Sequence, residues 1–400
     1  MELTQEHIER CADILIWGLK TARTAPFVRN DIILIRYDKP ALDLAEALYV
    51  RLLDHGMNVI PRMGLSWTME RDFFTHSSRR QIVFVPPGED ILHRALNGTI
   101  VLRAPESLTH LSDVDPKKIG KALLSRKPLR AILDRREETG DFGWTLTTYP
   151  TGELARRARL SLSSYTEQMI RACFLDDKEP VKRWREIYRH ATRIKKWLNS
   201  HDVRQFHVES EHTDLTIRRG EARQWIGISG HNIPSFELFL SPDWRGATGT
   251  YHANQPTYRS GNYVEGIHLV FEKGRVRSLR ADVGEAFARK QITIDGGANR
   301  IGEFSLTDVR FSRIDRFMAD TLYDENYGGD DGNCHIALGA SYADTYDGNP
   351  ADLTDKRKKA LGFNDSALHW DLINTEPKTV TAHLATGKRR IIYEAGQFTY

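Results

Sequence analysis

Apolar positions change their period along the chain. Ile8, Ala12, Leu15 and Leu19 recur at three- and four-residue steps, which predicts an amphipathic opening helix. The run IILIR at 32–36 reads as a short buried strand. Residues 41–55 return to helical spacing, with Leu42, Ala45, Leu48, Leu52 and Leu53 on one face and Gly56 just past the end, a helix stop. Strands are predicted at 58–61, 82–85 and 99–102, with 90–96 connecting the last two. Such alternation predicts a parallel sheet covered by helices on both faces.

Helical spacing resumes over 163–200, where Trp184, Ile187, Ala191, Ile194 and Leu198 form an apolar stripe. Most basic residues of this segment lie off the stripe, which makes it a solvated surface helix rather than a basic binding element. The pattern changes after Ser200. Short strands are expected at 206–209, 214–217, 249–251, 266–272, 276–281 and 291–294, several separated by glycines and polar turns. The prediction is therefore an α/β N-terminal domain with a mostly parallel sheet over residues 1–200, plus an α+β C-terminal domain with a largely antiparallel sheet over 201–400.

Composition changes this picture little. The 400 residues carry 57 Lys and Arg against 54 Asp and Glu, a net charge of +3, so charge makes no case for a nucleic-acid or anionic-membrane partner. No run approaches the ~18 apolar residues of a membrane span. The start carries early acids and no basic segment ahead of its apolar stretch, unlike a secretory signal. Cys11, Cys173 and Cys334 are odd in number and far apart, which points to a reducing, cytoplasmic setting.

Common cofactor fingerprints are missing. There is no HExxH, no GxSxG and no GxGxxG after the first strand. Gly297 to Gly302 has the glycine spacing of a phosphate loop but lacks its Lys and Ser or Thr. Chemistry-bearing residues concentrate instead in five segments of the second half. Glu237 stands inside an apolar stretch, either on the wet face of a strand or buried with a partner, because an isolated buried carboxylate is costly. Glu303 follows Gly302, which permits close backbone approach beside the acid. Glu325 leads into the loop 327–333, whose acids are either solvated or part of a cation shell. His335 and Tyr342 are seven residues apart, which on a helix would place imidazole and phenol on one face, although Gly339 weakens a helix there. His369 and Asp371 flank Trp370, so on a strand they share one face. Four carboxylates and two imidazoles suit Zn, Co, Mn or Mg at paired catalytic positions, without a thiolate. Cys334, as the neighbour of His335, should point elsewhere.

In their order and spacing these segments resemble the aminopeptidase T / aminopeptidase S family of thermophilic-type metalloproteases. The resemblance also touches residues 171–177 and 213–216. It implies that Glu237, Glu303, Glu325, His335, His369 and Asp371 hold two divalent metal ions and that Tyr342 is the catalytic tyrosine. It further implies a homodimer acting on peptides, hydrolysing N-terminal peptide bonds with a metal-activated water. Glu303 or Glu237 would bridge the ions or take the proton. Two departures stand out: Phe236 replaces a second acid beside the ligand Glu of many members, and the loop 327–333 is longer than theirs. Two rival functions keep the same sequence features. One is a two-metal hydrolase of another amide or ester, and the other a non-enzymatic assembly protein retaining the fold.

Overall fold

The computed structural model describes residues 2–400. Its contacts divide the chain into two units, one of residues 1–186 with 229–235 and one of 187–228 with 236–400.

In the first unit, β1 (Ile32–Tyr37), β2 (Asn58–Met63), β3 (Gly98–Arg103) and β4 (Gly143–Thr148) form a parallel sheet in the order β2-β1-β3-β4. The helix Gln5–Ala22 buries Ile8, Ala12, Leu15 and Leu19, the stripe its sequence spacing predicts. Its Thr4 hydroxyl accepts from the His7 N–H, satisfying one of the free donors of the first turn. The helix Leu42–Asp54 buries Leu44, Ala45, Leu48 and Leu52 and is followed by Gly56 at φ +77°.

Residues 82–85 do not form the expected strand. Ser78 and Gln81 make a reciprocal capping box, which starts the helical turn Arg79–Ile82, and Val83 and Phe84 beyond it are exposed. The long helix Pro116–Glu138 and β4 had no sequence prediction. The stripe of the helix Pro180–Asn199 is buried throughout, at Trp184, Ile187, Ala191, Ile194 and Leu198.

The second unit holds fourteen strands, in chain order β5 (Val203–Ser210), β6 (Asp214–Arg218), β7 (Glu237–Leu240), β8 (Thr248–Ala253), β9 (Thr257–Arg259), β10 (Asn262–Val264), β11 (Ile267–Glu272), β12 (Arg275–Arg280), β13 (Ile301–Thr307), β14 (Asn333–Gly339), β15 (His369–Asn374), β16 (Lys378–Leu384), β17 (Arg389–Glu394) and β18 (Gln397–Phe398). An eight-stranded antiparallel sheet runs β12-β11-β8-β6-β5-β16-β17-β18, and a four-stranded antiparallel sheet runs β15-β14-β13-β7. Residues 291–294 are not a strand; they finish and follow the helix Glu285–Gln291, a short apolar run whose period was ambiguous.

Alternation along the short sheet gives its two faces opposite characters. Phe304 of β13 packs against Phe206 of β5 and against Trp225, with ring centroids 5.6 and 5.7 Å apart, so one face rests on the larger sheet. Tyr251 of β8 reinforces this packing, its hydroxyl donating to the Leu372 carbonyl at 2.7 Å. The other face carries the polar side chains.

Candidate metal centre

The register of the four strands assembles that polar face. Glu303 lies opposite Ala337, which lies opposite Asp371. Ser305 lies opposite both His335 and Phe239, Gly339 opposite His369, and Thr307 opposite Glu237. Directly paired residues of adjacent strands share a face. Glu237, Glu303, His335, His369 and Asp371 therefore converge from four strands, with the small residues Ser305, Ala337 and Gly339 leaving space between them. Glu303 is aimed by a bulge at its strand entry, where the register shifts between Ile301 and Glu303. Gly302 is obligatory there, because a Cβ would stand 2.2 Å from the Ala340 carbonyl oxygen.

The donor atoms fall into two groups joined by Glu303. His335 Nε2 lies 3.2 Å from Glu237 Oε2 and 3.2 Å from Glu303 Oε1. His369 Nε2 lies 3.2 Å from Asp371 Oδ1 and 3.7 Å from Glu303 Oε2. Ligands around a tetrahedral divalent ion at ~2.0–2.1 Å stand roughly 3.3 Å from one another. Both groups match that spacing, and each takes one oxygen of the same carboxylate. Supporting contacts fix the side chains. Ser305 Oγ donates to Glu237 Oε2 at 3.0 Å. The Ala340 carbonyl lies 3.0 Å from His369 Nδ1, so Nδ1 carries the proton and Nε2 offers its lone pair inward. The His335 Nδ1 atom is buried without a hydrogen-bond partner.

Glu325 enters from outside the sheet, at the end of the helical turn Thr321–Asp324. Its carbonyl accepts from Thr307 Oγ1 at 3.1 Å and Asn333 Nδ2 at 3.0 Å, which ties it to β13 and β14. Its carboxyl is buried within electrostatic reach of Glu237, Asp371, His335 and Glu303. Tyr342 reaches the rim by a different route from the expected helix. Residues 333–339 form β14, which ends at Gly339 with φ +111°, and the chain then turns. The Tyr342 ring comes to rest with its centroid 4.8 Å from that of His369. Exposure grades across the site: the side chains of Glu303 and His335 are 5% and 1% exposed, that of His369 24%. The site thus opens on the His369 and Tyr342 side.

Metal-free, these groups strain against one another. Burial pushes Glu303 up to about 7, against the hydrogen bond from His335, and Glu237's charge pushes it further. Burial also drives Glu325 well above the usual carboxylate range, helped by Glu237 and Asp371. Burial alone would lower the two imidazoles, but hydrogen bonds that His335 donates to Glu237 and Glu303 hold it well above its ordinary value, and Asp371 holds His369 up to about 9. Burial would raise Asp371, yet His369 keeps it down at about 2. A buried cluster of this kind is stable only if protonated or filled by a cation.

Two contributors escaped the sequence reading. Ser305 stands two residues after Glu303 and shares its face, a relation that strand alternation alone could have signalled. Arg259 comes from β9, in a separate two-stranded hairpin. Its Nη1 donates to the His369 carbonyl at 2.8 Å, and burial pulls its pKa down to about 10 while Asp371 holds it up. Nothing in its sequence neighbourhood marks it. Cys334 is buried with its thiol pushed up to about 11 by that burial, and alternation sends it to the face opposite His335.

A family model described as thermophilic metalloprotease (M29) matches residues 4–398. Aminopeptidase PepS of Streptococcus thermophilus is 30% identical over 302 residues, covering 70% of this chain and 67% of that protein. Aminopeptidase T of Thermus aquaticus is 26% identical over the full length of both chains. The solved structure of wild-type AmpT from Thermus thermophilus superposes with a TM-score of 0.81 at 21% identity, covering 98% of this chain and 99% of that one, so the fold is shared.

Proposed function

Because the chain belongs to the thermophilic metalloprotease (M29) family, a family of metallopeptidases, we propose that it removes N-terminal residues from peptides with two divalent cations in the Glu303 cluster. The observation that carries the two-cation reading is the division of Glu303 between two donor groups. Glu237 and His335 would hold one cation, His369 and Asp371 the other, and Glu303 would serve both. Glu325 would complete the shell from the loop side. When bound, the cations would polarise the scissile carbonyl and acidify a water molecule.

The chain's own groups do the rest. Glu237 would ligate through Oε2, which the Ser305 hydroxyl orients, and its second oxygen is the one proposed to accept the water's proton. Tyr342, on the open side, would donate a hydrogen bond from its hydroxyl to the oxygen that gains charge as the carbonyl is attacked. The Ala340 carbonyl keeps His369 in the tautomer that can act as a ligand. A homodimer is the proposed working assembly. Among the described residues no helix is long and apolar enough to cross a membrane.

The substrate reading is tested with a panel of aminoacyl amides and short peptides, each offered free and N-acetylated. An aminopeptidase releases the first residue of the free peptides and loses essentially all turnover on the acetylated ones. Equal cleavage of both, or cleavage of esters alone, overturns it.

The metal reading makes a pH prediction. In the metal-free fold, Glu303 at about 7 and His369 at about 9 hold protons that the unfolded chain has already released, over a window from the ordinary carboxylate value of 4.5 up to about 9. Where the folded state binds more protons than the unfolded, stability falls as pH rises, so across that window the metal-free protein loses the stability that protonated His369 contributes and takes on the cost of ionising buried Glu303. A cation needs the same groups deprotonated and replaces those protons. Asp371, already ionised above about 2, adds no slope here. The rise in Tm on adding zinc should therefore grow from pH 5.5 to pH 8. At about 100-fold excess over Kd the gain is about 2.7 kcal/mol, or roughly 5–10 °C. Thermal melts with and without metal at each pH check this, and an increment that is flat or shrinks with pH contradicts it.

A further inference from the structure

A second group of metal-type donors lies on the larger sheet, away from the face just described. His212 is in the turn between β5 and β6, His252 is on β8, and Glu376 is in the turn between β15 and β16. One ligand atom from each lies within 4.8 Å of the other two. Both imidazoles aim the same ring nitrogen at the same oxygen: His212 Nδ1 and His252 Nδ1 are each 2.8 Å from Glu376 Oε1. The carboxylate is built in rather than left free in solvent. Its side chain is 10% exposed, and Oε2 accepts from Ser210 Oγ at 2.6 Å and from the His212 backbone N–H and Asn374 Nδ2 at 3.2 Å each. These donors leave Oε1 to the two histidines. The turn that presents Glu376 is closed by its own N–H donating to Asn374 Oδ1 at 3.0 Å. A third imidazole stands beside them: His268 of β11 pairs with His252 and stacks on it, with ring centroids 4.0 Å apart and planes 7° apart.

We propose that His212, His252 and Glu376 form an additional divalent-cation site of the zinc class, with a water as its fourth ligand. Two imidazole nitrogens and one carboxylate oxygen are the donor set that selects zinc, cobalt, nickel or copper over magnesium or calcium. The two histidine–carboxylate distances need to grow only from 2.8 Å to roughly 3.3 Å to surround a tetrahedral ion. His212 lies in an exposed turn, so it can make that adjustment. A cation here would tie the β5–β6 turn and β8 to the turn that follows β15, the strand carrying His369 and Asp371. Its role is to clamp that turn rather than to take part in hydrolysis, since it shares no ligand with the Glu303 cluster. The rival account is a pair of ordinary ion pairs between protonated histidines and Glu376, which holds no metal.

Cobalt and zinc are the probes. The full-length variant Glu303→Gln/His369→Ala breaks both donor groups of the catalytic cluster. It should still bind about one equivalent of Co²⁺ more tightly than ~10 µM, with visible d–d absorption that zinc displaces. Adding His252→Ala and Glu376→Gln should weaken that binding by more than the ~10–100-fold lost when only a supporting partner of a ligand is removed. In the otherwise unchanged chain, His212→Ala, an exposed position whose replacement leaves the core intact, should bind one equivalent fewer than the parent while its peptidase turnover stays the same. Circular dichroism on each preparation shows that the fold is kept. Absence of cobalt binding tighter than ~10 µM in the first variant, or equal metal content in the parent and His212→Ala, overturns the site. Neither outcome bears on the Glu303 cluster, whose own test is turnover and metal content in the unaltered chain.

Discussion

Glu303→Gln should lower kcat/KM by about 10³-fold or more and strip metal from both donor groups at once. Its two oxygens face different clusters, Oε1 toward His335 and Oε2 toward His369. An amide keeps the shape but replaces one oxygen with a nitrogen that cannot ligate, and removes the charge that the two proposed cations would share. Lewis-acid polarisation by a bound metal is worth several kcal/mol of barrier, and each ~1.4 kcal/mol is a decade in rate. Glu237→Gln and His369→Ala, which each touch one group, should cost less metal than Glu303→Gln. The same substitution should raise the Tm of the metal-free protein. It removes a buried carboxyl that burial and the charge of Glu237 push up to about 7, so the metal-free fold no longer carries the cost of ionising it. Cys334→Ser is the control: its side chain lies on the opposite face, so metal content and turnover should hold. Elemental analysis, melting and kinetics on one set of preparations decide the matter. A metal-replete, fully active Glu303→Gln enzyme would remove Glu303 from the site.

The fold was legible where a single period governs a segment. Ile8, Ala12, Leu15 and Leu19 face inward because 3.6-residue spacing places them together, and the stripe from Trp184 to Leu198 is buried for the same reason. Short apolar runs were less legible. Residues 82–85 and 291–294 carry too few positions to fix a period, and capping by Ser78 and Gln81 decided the first toward a helical turn. Of the six expected ligands, only His369 and Asp371 could be placed together on one face from spacing alone, because they sit on one strand. Glu237, Glu303 and His335 come from three strands, and their approach depends on register, which a bulge at Gly302 sets and no local pattern reveals. The family resemblance grouped them before the structure showed them adjacent. Arg259 was invisible in either way, since a three-residue strand carries no period and the arginine works through the backbone of His369.

Tyr342 tests the chemistry apart from the metal. No helical step joins His335 to Tyr342, since β14 ends at Gly339 and a turn brings the phenol to the open rim beside His369. That placement puts it next to a proposed ligand without a place in either donor group. Its backbone N–H donates to Ser241 Oγ at 2.9 Å, which holds the turn whatever the side chain does. A hydroxyl that stabilises the oxyanion strengthens its bond only as charge develops, so its loss falls on kcat rather than on metal binding. Tyr342→Phe should lower kcat by ~10²–10³, the range for deleting one oxyanion donor. Metal content should be unchanged and Tm nearly so, because the ring and its contact with His369 remain. A tyrosine that only fills space predicts the reverse pattern, about 1 kcal/mol of lost stability for the missing hydrogen bond with near-normal turnover. The KM for an aminoacyl amide separates a third case, in which the phenol binds substrate and transition state alike: KM would rise while kcat stayed in place. Near-normal kcat in metal-replete Tyr342→Phe would exclude the oxyanion role, and a drop confined to kcat at full metal content is the signature expected of it.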